Sequence, residues 1–129
     1  MTTRQKISTP HAPAAIGPYS QAIVAGGFVH CSGQVALHPE TGEIVGKDVT
    51  EQAERAFENM KGVLTAAGTD FSRVVKCTVF LVKMSDFAAV NAVYGRYFTG
   101  DAPPARSTVA VHELPRGALF EFDCVALVG

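Results

Sequence analysis

Arg106 is the first residue whose type and position could do chemistry. It follows Pro103 and Pro104 and begins a β-rich run. Each proline fixes its own φ angle and restricts the residue before it, so the loop is stiff and the strand then sets the direction of the side chain. A guanidinium held in this way can bind a carboxylate through two parallel hydrogen bonds. The alternative is an ordinary surface arginine at the end of a strand.

Glu121 is the natural partner of this arginine. The two residues lie on consecutive predicted strands joined by a tight turn, so we expect them to share one face of a sheet. Apolar neighbours disfavour the charged carboxylate and raise the pKa of Glu121 towards the range of a general base, whereas a nearby Arg106 lowers it. A structural salt bridge at an interface explains the same pair equally well.

Two loops supply further polar candidates. Gly17-Pro18 predicts a tight turn that presents Tyr19, which either closes a small pocket or packs as a loop tyrosine. Gly33, between Ser32 and Gln34, allows close approach of the backbone, either to a ligand or within a β-bulge. The sequence has no histidine pair with metal-ligand spacing, no phosphate-binding loop and no dinucleotide fingerprint.

Composition limits the class of protein. The 129 residues predict one domain over residues 1–129, and 47% hydrophobic with 18% charged residues indicates a compact fold. The net charge of −1, without a basic stripe, predicts neither a nucleic-acid nor a membrane partner. The polar N-terminus and strand-sized apolar runs predict a cytoplasmic protein. Cys31, Cys77 and Cys124 are expected to be small buried hydrophobes rather than reactive thiols.

Apolar periodicity predicts two helices. The first runs from Glu51 to Ala67, with Thr50 as its N-cap and Gly68 as its stop. The second runs from about Asp86 to Phe98, with Ser85 as its cap. Its apolar face includes Phe87 and Tyr94, and Asn91 sits beside that face. Both helices are expected to cover an apolar sheet.

Six strands are predicted, in the order strand, strand, strand, helix, strand, helix, strand, strand. Gly26-Gly27 predicts a hairpin, and β-rich runs follow at Val74–Val82, Arg106–His112 and Ala118–Val128. Two helices can cover only one face of such a sheet, which predicts a two-layer α+β domain.

The last strand indicates what covers the other face. One of its faces is apolar, whereas the opposite face combines two carboxylates with apolar side chains: Leu119, Glu121, Asp123, Val125 and Leu127. A solvated face does not need these apolar residues, and a monomer core does not tolerate unpaired acids. We therefore expect a closed cyclic homo-oligomer that buries this face.

Six segments form an ordered set of motifs along the chain: Ala12–Gln21, Ser32–Gln34, Thr41–Glu43, Asp86–Asn91, Pro104–Ser107 and Leu114–Pro115. Taken in this order, they resemble the Rid (YjgF) family of reactive intermediate deaminases, and most of all its RidA branch, the 2-iminobutanoate/2-iminopropanoate deaminases. The resemblance implies a chorismate-mutase-like fold, with one mixed sheet and two helices on one face. It also implies a homotrimer with active sites in clefts between subunits, and no cofactor.

The resemblance also implies roles for individual residues. Arg106 binds the substrate carboxylate, and Glu121 holds and activates the water that attacks the imine carbon. Tyr19 lines the pocket, and the amide region of Thr108 lies beside the carboxylate. Other residues match positions in the pocket region: Ser32, Gly33 and Asn91.

The chain departs from the family pattern at two places near Arg106. Thr108 stands where RidA proteins commonly have cysteine. The loop Gly100–Pro104 is shorter than in close relatives and carries Pro103 where a bulky apolar residue is common. We expect this loop to alter the pocket wall and so the size of substrate.

The implied reaction is hydrolysis of 2-imino acids and enamines, derived from 2-aminoacrylate and 2-aminocrotonate, to 2-oxo acids and ammonia. Three alternatives stay open. The chain could be a non-enzymatic trimer that senses small carboxylates through Arg106. It could cleave RNA or inhibit translation, although its near-neutral charge counts against this. It could also have a chaperone-like role, which the sequence neither supports nor excludes.

Overall fold

The structure is a computed structural model that describes residues 3–129. Six strands form one mixed sheet in the order β1-β2-β3-β6-β4-β5. β4 and β5 run parallel, and the other neighbouring strands run antiparallel. The elements are β1 (Gln5–Ile7), β2 (Ala22–Ala25), β3 (Phe28–Gln34), α1 (Val49–Ala66), β4 (Val74–Leu81), α2 (Phe87–Tyr97), β5 (Ala105–Ala110) and β6 (Phe120–Leu127).

The order of strands and helices along the chain is as predicted, but the pairing of the last two strands is not. β4, α2 and β5 form a parallel strand–helix–strand unit, so β5 lies beside β4. β6 then pairs with both β3 and β4 and fills the centre of the sheet. The short connection between β5 and β6 therefore does not form a hairpin, because β4 separates the two strands.

Both predicted helices are present, but both predicted N-caps are wrong. α1 begins at Val49, and the carboxylate of Asp48 accepts a hydrogen bond from the Glu51 amide at 2.9 Å, so Asp48 and not Thr50 is the cap. A short 3₁₀ turn, Met84–Asp86, precedes α2 and places Ser85 inside this turn.

The predicted turn glycines adopt the backbone conformations that the sequence required of them. Gly26 and Gly27 have φ angles of 60° and 84°, as a tight hairpin needs. Gly68 follows α1 with a φ of 79°, which a residue with a Cβ rarely adopts.

The core lies between the helices and one face of the sheet. Phe57 of α1 stacks on Phe122 of β6, with ring centroids 4.2 Å apart, and both side chains are fully buried. The three cysteines are buried and free, as predicted. Val93 of α2 is also buried, although the sequence pattern did not place it on the apolar face.

The other face of the sheet carries no helix in the described chain. On β6, Glu121, Asp123 and Val125 are half-buried, and Leu127 is 38% exposed beside the exposed Phe28 of β3. The predicted alternation of β6 is therefore correct. We call this uncovered surface of β3, β6, β4 and β5 the open face. Neither helix of the described residues is long and apolar enough to cross a membrane.

Candidate functional site

A cavity of about 420 Å³ lies where β3 ends and β6 begins. It contains four of the predicted site residues, namely Tyr19, Ser32, Gly33 and Glu121. Its remaining wall is mostly apolar and comes from the N-terminal loop, from the segment after β3 and from the turn before β6, which adds Arg116. We call this cavity the Glu121 pocket; its volume fits a small molecule beside the Glu121 carboxylate.

Gly33 makes room for the Glu121 side chain. Cys31 pairs with Cys124 and Gln34 with Phe122, so β3 has one extra residue and forms a bulge. A Cβ atom at Gly33 would lie only 2.9 Å from Cδ of Glu121 and closer still to its carboxylate oxygen. Of the two alternatives for Gly33, approach to a ligand or a β-bulge, the structure shows the bulge, and the Glu121 side chain lies against it.

Hydrogen bonds fix the loop that carries Tyr19. The buried amide of Gln21 accepts from the Thr9 amide at 2.7 Å and donates to the Pro13 carbonyl at 2.8 Å. Ser32 Oγ donates to the Ser20 carbonyl at 2.6 Å, so its hydroxyl is used in holding the loop. Tyr19 is 54% exposed at the rim of the Glu121 pocket.

Sequence reasoning did not assign a role to Gln21. The signal was an amide side chain at the start of an apolar strand, where a buried polar group needs partners.

Glu121 has the electrostatics of a base. Burial raises the pKa of this carboxyl, and the negative charge of Asp123 raises it further. The expected effect of apolar surroundings is therefore present. The expected lowering of the Glu121 pKa by Arg106 is absent, because the guanidinium is not among the groups that act on Glu121 within one chain.

Arg106 lies in a second cluster, under α2. Its Nη1 donates to Asn91 Oδ1 at 2.8 Å, and its guanidinium carbon lies 4.6 Å from the Tyr94 ring centroid and 5.4 Å from that of Phe87. Within residues 3–129 the arginine has no carboxylate partner. We call these four residues the Arg106 cluster.

The Arg106 cluster borders a cavity of about 500 Å³, which Pro103 and Pro104 also line. The proline-rich loop is therefore in contact with the arginine's surroundings, as its position in the sequence indicated. Thr108 is half-buried and aligned with Val79 of β4, on the same face of β5 as Arg106.

Arg106 and Glu121 do not meet within one chain. Arg106 is aligned with the core-facing Cys77 of β4, whereas Glu121 is aligned with Phe80, whose side chain points to the other face. Two strand spacings and three residues separate them, so their Cα atoms are on the order of 14 Å apart. The expectation that they share a face was wrong, because β4 lies between their strands and sets the alignment.

No group of three or more histidine, cysteine, aspartate or glutamate side chains in residues 3–129 could hold a metal ion. Burial raises the pKa of the Cys77 thiol to about 11, so this cysteine stays protonated near neutral pH.

The fold and motifs define a family. A family model described as Endoribonuclease L-PSP matches residues 9–128. The chain belongs to this family, also known as the Rid (YjgF) family, as its ordered motifs predicted.

Individual relatives agree over nearly the whole chain. Protein DfrA of Myxococcus xanthus is 57% identical over 126 residues, covering 96% of this chain and 95% of that protein. A protein of Mus musculus named 2-iminobutanoate/2-iminopropanoate deaminase is 48% identical, covering 98% and 93%. The crystal structure of E. coli TdcF with bound serine superposes with a TM-score of 0.90 at 39% identity, covering 97% and 99%.

Proposed function

We propose that this protein hydrolyses reactive 2-imino acids and enamines, derived from 2-aminoacrylate and 2-aminocrotonate, to 2-oxo acids and ammonia. The observation that carries the proposal is the Glu121 pocket, in which a carboxylate with a raised pKa and no ion-pair partner among residues 3–129 lies over the bulge at Gly33. The deaminase name of the mouse relative and the serine bound to TdcF support an amino-acid-like substrate.

The proposed site is completed by a second copy of the chain. The Arg106 cluster and the Glu121 pocket lie on opposite faces of one sheet, so a single small substrate cannot reach both in the same chain. The open face is partly apolar, with Phe28, Val109 and Leu127 exposed, and its burial stabilises an assembly. We infer a homotrimer in which the Arg106 cluster of one copy borders the Glu121 pocket of the next.

In this site Arg106 holds the substrate. Asn91 occupies one donor of the guanidinium, and the remaining donors can bind the α-carboxylate. The amide region of Thr108, on the same face of β5, lies beside that carboxylate. Holding the carboxylate places the imine carbon at a fixed distance from Glu121, which replaces a chance encounter with an oriented one.

Glu121 activates one water molecule. It takes a proton from the water as the oxygen attacks the imine carbon, and the C=N π electrons move to nitrogen, which gains a proton. The proton that nitrogen gains is the one that Glu121 took from the water, and the product is a carbinolamine. Glu121 then transfers the hydroxyl proton of the carbinolamine to the amino nitrogen, the C–N bond breaks as the C=O bond forms, and ammonia and the 2-oxo acid leave. Tyr19 at the rim limits access of bulk water. The reaction is redox-neutral, so it consumes no oxidant or reductant.

The test couples the protein to a threonine dehydratase, which supplies 2-iminobutanoate, and follows 2-oxobutanoate formation. We expect wild type to accelerate product formation, and Arg106→Ala and Glu121→Gln to abolish most of that acceleration. Arg96→Ala is the matched control, because Arg96 is an exposed arginine paired with Glu54 on the outer surface. A fully active Arg106→Ala variant would overturn the proposal.

Two alternatives are separated by direct measurements. If the protein only senses small carboxylates, Glu121→Gln binds 2-oxobutanoate as wild type does and wild type shows no turnover. RNA cleavage is favoured by the description of the matching family model. That activity would be supported if wild type degraded an RNA substrate and the Glu121→Gln variant did not. We expect no cleavage, because the net charge of −1 does not favour binding of RNA.

A further inference from the structure

Tyr94 is buried under the guanidinium of Arg106, and the family motifs did not single it out. Its ring centroid lies 4.6 Å from the guanidinium carbon, which is within the range of a cation–π contact. We propose that Tyr94 is a positioning residue for Arg106, and that it acts through the face of its ring. This inference rests on the role given to Arg106 in the proposed function.

The geometry of α2 supports this assignment. Phe87, Asn91 and Tyr94 are spaced by four and three residues, so they lie on one face of the helix. The guanidinium carbon of Arg106 lies over the faces of both rings, and Asn91 accepts a hydrogen bond from Nη1 of Arg106. The two ring contacts limit where the guanidinium can lie, and the hydrogen bond to Asn91 limits how it can rotate. The donors not used by Asn91 are then aimed in one direction before any substrate arrives.

The hydroxyl of Tyr94 does not take part in this contact. Tyr94 is only 8% exposed, and its hydroxyl has no hydrogen-bond partner within residues 3–129. Its oxygen is buried beside the Cys77 thiol, so a substrate cannot reach it, and burial raises its pKa, so it stays protonated near neutral pH. The ring is therefore the part of Tyr94 that bears on Arg106, and phenylalanine can supply it.

A comparison of three variants tests the assignment. Tyr94→Leu removes the ring, Tyr94→Phe keeps it, and Tyr97→Leu removes a ring of the same helix and aromatic cluster that does not touch Arg106. We expect Tyr94→Leu to raise KM for 2-iminobutanoate about 10-fold with little change in kcat, because the carboxylate is bound less well. We expect Tyr94→Phe to restore KM to near the wild-type value, and Tyr97→Leu to leave KM unchanged at a similar loss of thermal stability.

Binding of 2-oxobutanoate, measured by calorimetry, gives a readout that does not need turnover. The dissociation constant should rise about 10-fold in Tyr94→Leu and return to near wild type in Tyr94→Phe. If Tyr94→Leu does not fold, Tyr94→Met retains the bulk without the aromatic ring, and the same rise is expected.

The outcomes separate this inference from the proposed function. An unchanged KM and dissociation constant in the folded Leu or Met variant, or an equal effect in Tyr97→Leu, overturns the role of Tyr94 and leaves the deaminase function standing. If wild type binds 2-oxobutanoate but does not hydrolyse the imine, the deaminase function is overturned. The dissociation constants of the Tyr94 variants then still decide the role of Tyr94. If wild type neither binds 2-oxobutanoate nor hydrolyses the imine, both the deaminase function and the role of Tyr94 are overturned.

Discussion

Mixing two inactive variants tests whether the site is shared between copies. Arg106→Ala removes the charged donors, which we expect to cost about 3 kcal/mol of transition-state stabilisation, or about 100-fold in kcat/KM. Glu121→Gln removes the base, which we expect to cost about 100-fold or more. Each variant alone therefore has little activity. In the proposed assembly, however, every site takes Arg106 from one copy and Glu121 from the next.

The expected recovery follows from the arrangement. In trimers reassembled at random from equal amounts of the two variants, a site is intact when the first copy still has Arg106 and the next still has Glu121. Each condition holds for half of the copies, so about a quarter of the sites are restored. Imine hydrolysis by the mixture should rise to about a quarter of the wild-type rate after exchange in mild denaturant, and should stay low before exchange.

A second mixture provides the control. Wild type mixed with an equal amount of the Arg106→Ala/Glu121→Gln double variant has about half of its sites intact before exchange and about a quarter afterwards. If each copy instead uses its own pair, the first mixture gains nothing and the second keeps half of its activity. That outcome would refute the shared site, and with it the argument that residues on opposite faces, on the order of 14 Å apart at Cα, cannot act together within one chain.

Four further predictions concern the Glu121 pocket and helix α1. Gly33→Ala should reduce kcat by about 10-fold or more with a small change in Tm, because the new Cβ displaces the Glu121 carboxylate; an unchanged kcat contradicts this. In a pH series, kcat/KM should rise with pH through an apparent pKa above that of an ordinary glutamate, since only the ionised Glu121 accepts a proton and burial raises its pKa. The effect of this proton on stability has the opposite sign, because the folded chain binds it more tightly than the unfolded chain does. The stabilisation from the protonated Glu121 is fully present below the pKa of the unfolded state and is lost as pH rises through the pKa of the folded state. Urea unfolding of Glu121→Gln against wild type should therefore show a variant that gains stability relative to wild type as pH rises; a constant difference argues against a raised pKa. Finally, Asp48→Ala should lower the free energy of unfolding by about 1 kcal/mol and Thr50→Ala by much less, because Asp48 caps α1; equal losses would contradict that assignment.

The features that could be predicted from the sequence are those fixed by neighbouring residues. The helical spacing of α1, the Gly26-Gly27 hairpin and the alternation of β6 each depend on a short segment, and all three are present. Strand pairing depends on residues far apart in the chain. The parallel unit around α2 places β5 beside β4, and no local pattern shows that β6 pairs on the other side of β4.

The candidate site was predictable to a similar extent. Loop and bulge signals in the sequence indicated the local geometry of Tyr19 and Gly33, but Glu121 lies beside them because β6 pairs with β3, which no local pattern shows. The side of β5 on which Arg106 lies was not predictable, since it depends on alignment with Cys77. For the same reason Tyr94 could be seen only as an apolar residue of α2, because its contact with Arg106 requires knowing which strand α2 covers.

The separation of Arg106 and Glu121 within a chain also has a chemical consequence. If the two side chains formed an ion pair, the arginine would lower the pKa of Glu121, and the carboxylate would occupy the donors that the substrate needs. Instead, aromatic rings and a neutral amide support Arg106, and burial with a second acid acts on Glu121. In the proposed assembly the substrate carboxylate enters between them and takes the place of the missing ion pair. Substrate binding then neutralises the arginine, so Glu121 keeps the basicity that proton transfer requires.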